Sequence, residues 1–154
     1  VTQPGSWDLA DADPVAAVVW WLANHTRLNE LLRETPTGDG PVVGSRNTPP
    51  YPRLRVLDID AGDLGTFNGL VTCRFMIEAL GDTDGTPGKH RLRRIAVAAA
   101  EALNEITEQE SVQHCVFSLF TAGGPNWAPL PPNNQPRYLF PCTTRSRPAW
   151  DWGN

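Results

Sequence analysis

At 154 residues with 40% hydrophobic side chains, the chain is sized for one domain around one core. Its formal net charge of -4 argues against a dedicated nucleic-acid-binding domain, which carries a basic excess, so any contact with DNA would be local. No stretch approaches the roughly 18 continuous apolar residues of a membrane span and no signal peptide is visible, so a soluble protein without membrane contact is expected.

The 15 prolines and 13 glycines punctuate the chain heavily and predict long connections. Cys73, Cys115 and Cys142 are odd in number, widely spaced and set in strand-like segments, which favours buried thiols over a disulfide or a metal site. That usage suits assembly in a reducing cytoplasm. Of the 13 basic residues only Lys89 is lysine, a skew that points to a GC-rich genome and an actinobacterial host. The start at Val1 is compatible with removal of an initiator methionine before a small residue.

Residues 1–12 show no period and read as an N-terminal arm carrying Trp7. Asp13 is a good N-cap, Pro14 suits the first helical position, and Val15, Val18, Val19 and Leu22 recur at helical spacing. Leu28, Leu31 and Leu32 extend the stripe, predicting one helix to about Glu34 in which Trp20 and Trp21 pack against the core or another helix. Residues 35–52 hold five prolines and three glycines and predict a long exposed loop with at most a short edge segment.

RLRVLDID (53–60) reads as a strand, followed by a turn region around Gly62 and Gly65. From Gly69 to Leu80, Val71, Cys73, Phe75, Ile77 and Ala79 alternate with largely polar residues, so one sheet face is buried and the other is not. Leu92, Ile95, Ala96, Ala99, Leu103 and Ile106 give a second helix whose small alanines permit close packing on a sheet. A third strand is expected over 112–121, and a fourth over 137–144, where Pro141 favours an edge position. Between them AGGPNWAPLPPNNQP is about twice the usual loop length, and RSRPAWDWGN reads as a further arm with Trp150 and Trp152. The expected architecture is α+β: a mostly antiparallel four-stranded sheet with two helices on one face. The domain boundaries are a core over 13–148, with 1–12 as arm and 149–154 as tail.

Motifs for catalysis fail on their residues. GDTDGTPGKH lies between strand and helix as a phosphate loop does, but that loop requires glycine where Thr83 stands and a hydroxyl where His90 stands, and Asp82 and Asp84 repel phosphate. His25, His90 and His114 have no second ligand at metal spacing, and His114 beside Cys115 would point to the opposite face of a strand. Asp58, Asp60 and Asp63 match no calcium loop and read as a solvated strand end. No Gly-x-Ser-x-Gly elbow and no Cys/His pair at catalytic spacing occurs, so no enzyme activity and no cofactor are expected.

Lys89, Arg91, Arg93 and Arg94 crowd the first turn of the second helix, where the helix dipole disfavours cations. They are either solvated or paired with Asp82 and Asp84, or they meet an acidic partner or passing DNA. In the latter case Arg91 and Arg94 share a face and Arg93 points away. Trp7, Trp127, Trp150 and Trp152 lie outside periodic elements, and either fold back onto the domain or form contacts with partners, since interfaces are rich in Trp and Arg.

Taken together, DPVAAVVWWLANHTRLNELL, the Pro-rich loop, RLRVLDIDAGDLG, GLVTCRFMIEALGDT, RLRRIAVAAAEALNEI and two following strands resemble the tail terminators of siphoviruses, particularly those of actinobacteriophages, and the lambda-type terminator fold. The likeness covers about residues 13–148 and rests on element order and segment texture. It implies a homo-hexameric ring at the tail-neck junction of a virion. Such a ring caps the major tail tube protein, stops its polymerisation and offers its other side to head-completion proteins, while genomic DNA traverses the lumen. The family has no catalytic residues.

By position, the loops at 35–52 and 122–136 and the arms would make intersubunit and tube contacts, with Trp7, Arg46, Tyr51, Trp127, Arg145, Arg147, Trp150 and Trp152 as candidates. Lys89, Arg91 and Arg94 are candidates for the lumen or for an acidic partner. A sheet with one bare face suits a protein that completes its burial by oligomerising, and an acidic net charge suits a conduit through which DNA slides without sticking. Another head-tail connector, such as a head-closure or tail-completion ring, shares these traits. A small cytoplasmic enzyme or ligand-binding protein is the alternative from a different class.

Overall fold

The computed structural model describes residues 12–33, 42–60 and 70–149. The chain order is α1 (Pro14–Asn24), α2 (Thr26–Arg33), β1 (Val43–Gly44), β2 (Arg53–Asp60), β3 (Val71–Leu80), α3 (Lys89–Asn104), a 3-10 turn (Ile106–Glu108), β4 (Cys115–Ala122), β5 (Asn126–Trp127) and β6 (Arg137–Pro148). The class is α+β, with three helices and one mixed six-stranded sheet among the described residues. The sheet order is β1-β2-β3-β6-β4, with β5 also on β6; β1 runs parallel to β2, and every other pair is antiparallel. The expected sheet of four strands gains β1 and β5, both two-residue segments inside the long loops.

The expected single N-terminal helix is two. Asp13 caps α1 as its sequence predicts, its carboxylate accepting from the Val15 and Ala16 amides at 2.9 and 3.4 Å. The helix then breaks at His25, whose backbone is extended (φ -74°, ψ 116°). The Asn29 side-chain amide donates to the carbonyls of Leu22, Ala23 and His25 at 3.0, 2.9 and 2.8 Å, which satisfies the end of α1. The His25 ring Nδ1 accepts from the Leu28 amide at 3.3 Å, doing for α2 what a Ser or Asp side chain does at other helix starts. The other ring nitrogen, Nε2, lies 3.0 Å from Glu105 Oε2, so the ring also ties the start of α2 to the end of α3. The break turns Leu28 and Leu32 into the core and lays α2 against α3.

α1 and α3 cover one face of the sheet, α1 over β1 to β3 and α3 over β3, β6 and β4. Phe75, Ile77 and Phe140 fill the layer between, fully buried. Trp21 packs helix to helix, its indole N–H donating to the Ala102 carbonyl at 2.7 Å. Trp20 does not join it; at 43% exposure it faces outward on α1.

β6 overturns two expectations. Arg145–Pro148, read as the start of an arm, continue the strand, and β6 is central rather than an edge. Pro141 is tolerated there for a geometric reason. In an antiparallel strand the N and O of one residue face the same neighbour, and the Pro141 carbonyl accepts from the Gly123 amide at 2.9 Å. The missing N–H therefore points away from β3, toward the gap between the end of β4 at Ala122 and the start of β5 at Asn126. Gly123 is small because a Cβ there would meet the Pro141 ring at 3.1 Å.

The third strand begins at Cys115 rather than 112. Gln113 and His114 have positive φ (44° and 67°) and form a tight turn closed by Val112 and Cys115, so His114 is not a strand residue. Its carbonyl accepts from the Ala149 amide at 2.7 Å, tying the start of β4 to the end of β6.

Candidate functional site

The uncovered sheet face is built by the alternate residues of β2, β3, β6 and β4. The register sets Arg55 opposite Glu78 and Glu78 opposite Leu139, then Leu57, Met76 and Pro141 in a row, then Arg74 beside Thr143 and Thr72 beside Arg145 and Leu119. This face divides into a covered end and an open end.

At the covered end Glu78 is fully buried (0% exposed) between Arg55 Nε at 2.5 Å and Arg137 Nη1 at 2.6 Å. Two Pro-rich loops close over it. Asn47 in the first and Gln135 in the second exchange side-chain hydrogen bonds of 2.6 and 3.0 Å, Gln135 also donates to the Gly81 carbonyl at 2.8 Å, and Tyr51 Oη donates to Asn47 at 2.8 Å. Arg137 Nε donates to the Ala128 carbonyl at 2.8 Å, fixing the second loop from below. The loops expected to reach for partners thus hold each other.

At the open end half-buried Leu57, Met76 and Leu119 lie among exposed Arg74, Thr72, Thr121 and Arg145. Arg147 follows Arg145 along the same face of β6 and is exposed, opposite Val116. Arg145 and Arg147 are therefore brought together, and Arg74 joins them, a residue that strand alternation marks as outward-facing without marking it as a neighbour of β6.

The other predicted contacts scatter. Trp7, Trp150 and Trp152 lie outside the described residues, as does Asp63. Tyr51 is half-buried and occupied with Asn47, while Arg46 is exposed at the rim of a cleft. Trp127 on β5 packs against the Tyr138 ring with centroids 5.1 Å apart, and Lys89 Nζ stands 4.9 Å over the Trp127 ring. That contact offsets the unfavourable placement of Lys89 at the α3 N-terminus.

Arg94 lines a groove between α2 and α3 together with Arg27, Leu31, Arg93 and Glu101. Arg93, expected to point away, shares this groove, whereas Arg91 does not, and its Nε and Nη2 are buried. Asp84 is engaged locally, its carboxylate held below the ordinary range by hydrogen bonds from the Thr86 hydroxyl and amide.

Among the described residues no group of three or more His, Cys, Asp or Glu is placed to hold a metal ion, and no helix is long and apolar enough to cross a membrane. Cys73, Cys115 and Cys142 are buried and not joined in disulfides. Burial pushes Cys142 up to about 12; burial, then the charges of Asp13 and Cys73, does the same for Cys115. Both are expected to resist alkylation in the native protein at pH 8 and to react only as it unfolds, which mass spectrometry after iodoacetamide pulses would read. The sign of the pH dependence follows. The unfolded chain releases these protons near the usual 9 and the folded one holds them to about 12, so stability declines as pH rises through that window.

No protein-family model matches the chain, and no curated protein matches it.

Proposed function

We propose that this chain is a non-enzymatic assembly protein of a long-tailed phage virion, a tail terminator whose ring caps the tail tube and joins it to head-completion proteins. The observation that carries the reading is the open end of the sheet. A one-layer sheet with helices on one side leaves Leu57, Met76 and Leu119 half-exposed on the other, amid Arg74, Arg145 and Arg147. An apolar centre with an arginine surround is the anatomy of a contact surface between protein chains. Identical copies arranged around an axis would bury it. Arg27, Arg93 and Arg94 in the α2–α3 groove give a second, basic surface for an acidic neighbour.

The test is the mass of the purified protein by light scattering, joined to its location in particles by immunogold labelling. A ring of about six copies at the tail-neck junction is expected from the family likeness. Leu119→Glu is expected to disperse the ring while moving the melting point little, because a half-exposed position tolerates a charge in the monomer. A persistent monomer absent from particles sinks the proposal. A ring found at the portal side, with the gene beside the portal rather than the tube gene, would assign it to head closure.

A further inference from the structure

We propose that the cleft walled by Arg53, Arg46, Ser45 and Thr48 is an oxyanion-binding site, taking a phosphate group or a carboxylate. This inference stands apart from the ring reading, since it concerns a pocket within one chain.

Arg53 opens β2 and is 4% exposed, yet no carboxylate among the described residues pairs with it. Its neighbour two residues on, Arg55, is by contrast neutralised by Glu78. The Arg53 guanidinium is anchored at one corner, Nη1 donating to the Thr48 carbonyl at 2.6 Å, while Nε is buried without an acceptor. Nη2 has no hydrogen-bond partner among the described residues and lies beside Gly44 in the wall of a cleft that encloses about 370 Å³. Burial lowers the Arg53 pKa from its ordinary value, the direction expected of a cation removed from water without a counter-charge.

Among the described residues the lining offers donors and no acid. Arg46 supplies a second guanidinium, Ser45 and Thr48 supply hydroxyls, and Gly44 keeps the approach clear, since a Cβ there would lie 3.7 Å from Nη2. A fixed guanidinium with a free edge, a second mobile one and two hydroxyls complement an oxyanion, which removes the penalty of burying Arg53 unpaired. Glu78, the carboxylate nearest along the sheet, is taken up by Arg55 and Arg137, and among the described residues none is left for Arg53.

The test titrates the whole protein with inorganic phosphate and, separately, with acetate, following the Arg side-chain Nε–Hε resonances by NMR. A saturable shift of the Arg53 signal is expected, weakened about tenfold or more in Arg46→Gln, as for loss of one charge-assisted contact. Gly44→Val, which leaves both arginines in place and covers Nη2, is expected to weaken binding as well and keeps the question answerable if Arg53→Met fails to fold. Tighter binding of phosphate identifies a phosphate group as the occupant, and tighter binding of acetate a carboxylate side chain; both support the site. No saturable response to either probe, or binding unchanged in Arg46→Gln and Gly44→Val, overturns it.

Discussion

Glu78→Ala is expected to destabilise the protein by about 3–5 kcal/mol, because it strands two largely buried guanidinium groups beside each other with no charge between them. A domain of this size is stable by only about 5–15 kcal/mol, so the variant would melt far below the parent in urea or heat. Attributing this to stranded charge makes a second demand. Replacing the whole set, Arg55→Met with Glu78→Leu and Arg137→Met, should recover most of the loss, since an apolar set of similar volume avoids the desolvation of three ions. The triple variant should still lose something, because Arg137 also holds the Ala128 carbonyl and hence the second Pro-rich loop. Equal urea midpoints for the single and triple variants would show that side-chain volume, not charge, controls this end of the sheet.

Phe75→Ala is expected to have an effect of the same size for a different reason. Phe75 is fully buried on β3, opposite Cys142 on β6 and facing the helices, so truncation leaves a cavity in the middle of the layer. Such a change costs about 3–5 kcal/mol, the lost transfer free energy plus the cavity term. In a chain of 154 residues that corresponds to a fall in melting temperature of roughly 10 °C. Phe75→Leu, which keeps much of the volume, should fall markedly less. Calorimetry of both variants checks the pair, and equal losses would count against a cavity origin.

The two sites differ in how far the residues alone announced them. Phe75 sits in an alternation with Val71, Cys73, Ile77 and Ala79, and period two is a local property that survives without knowledge of any neighbour. Its burial was therefore legible. Glu78 occupies the other phase of the same strand, where polar residues are read as solvent-facing. Its burial depends on Arg55, Arg137 and two loops joined by Asn47 and Gln135, which are 88 residues apart. Arg53 was equally hidden, because it reads as one more polar residue at a strand start. A clue was present, in that Arg53 and Arg55 lie on one face of β2, but whether each finds a carboxylate is a matter of which strand lies alongside.

The helices divide the same way. Asp13, Pro14 and the following apolar stripe set the start of α1, since a cap acts within one turn. The break at His25 did leave a mark in the stripe, because Leu28, Leu31 and Leu32 follow Leu22 by six, nine and ten residues and so fall off the face set by Val15, Val18, Val19 and Leu22; the turn itself is made by the Asn29 and His25 side chains and by the seat of α2 on α3.

By itself, then, the amino-acid order determined the class, the strand cores of β2 and β3 and the body of α3, though its stripe ran on to Ile106, which lies in the 3-10 turn beyond the helix end at Asn104; these are consequences of short-range periodicity and capping. The tertiary structure alone decided that β6 is central with Pro141 at a gap, that Glu78 is buried, that Arg74 joins Arg145 and Arg147, and that Arg53 has no counter-charge among the described residues. Those outcomes hinge on which distant strands become neighbours, and strand pairing is a choice among non-local partners that no local pattern encodes.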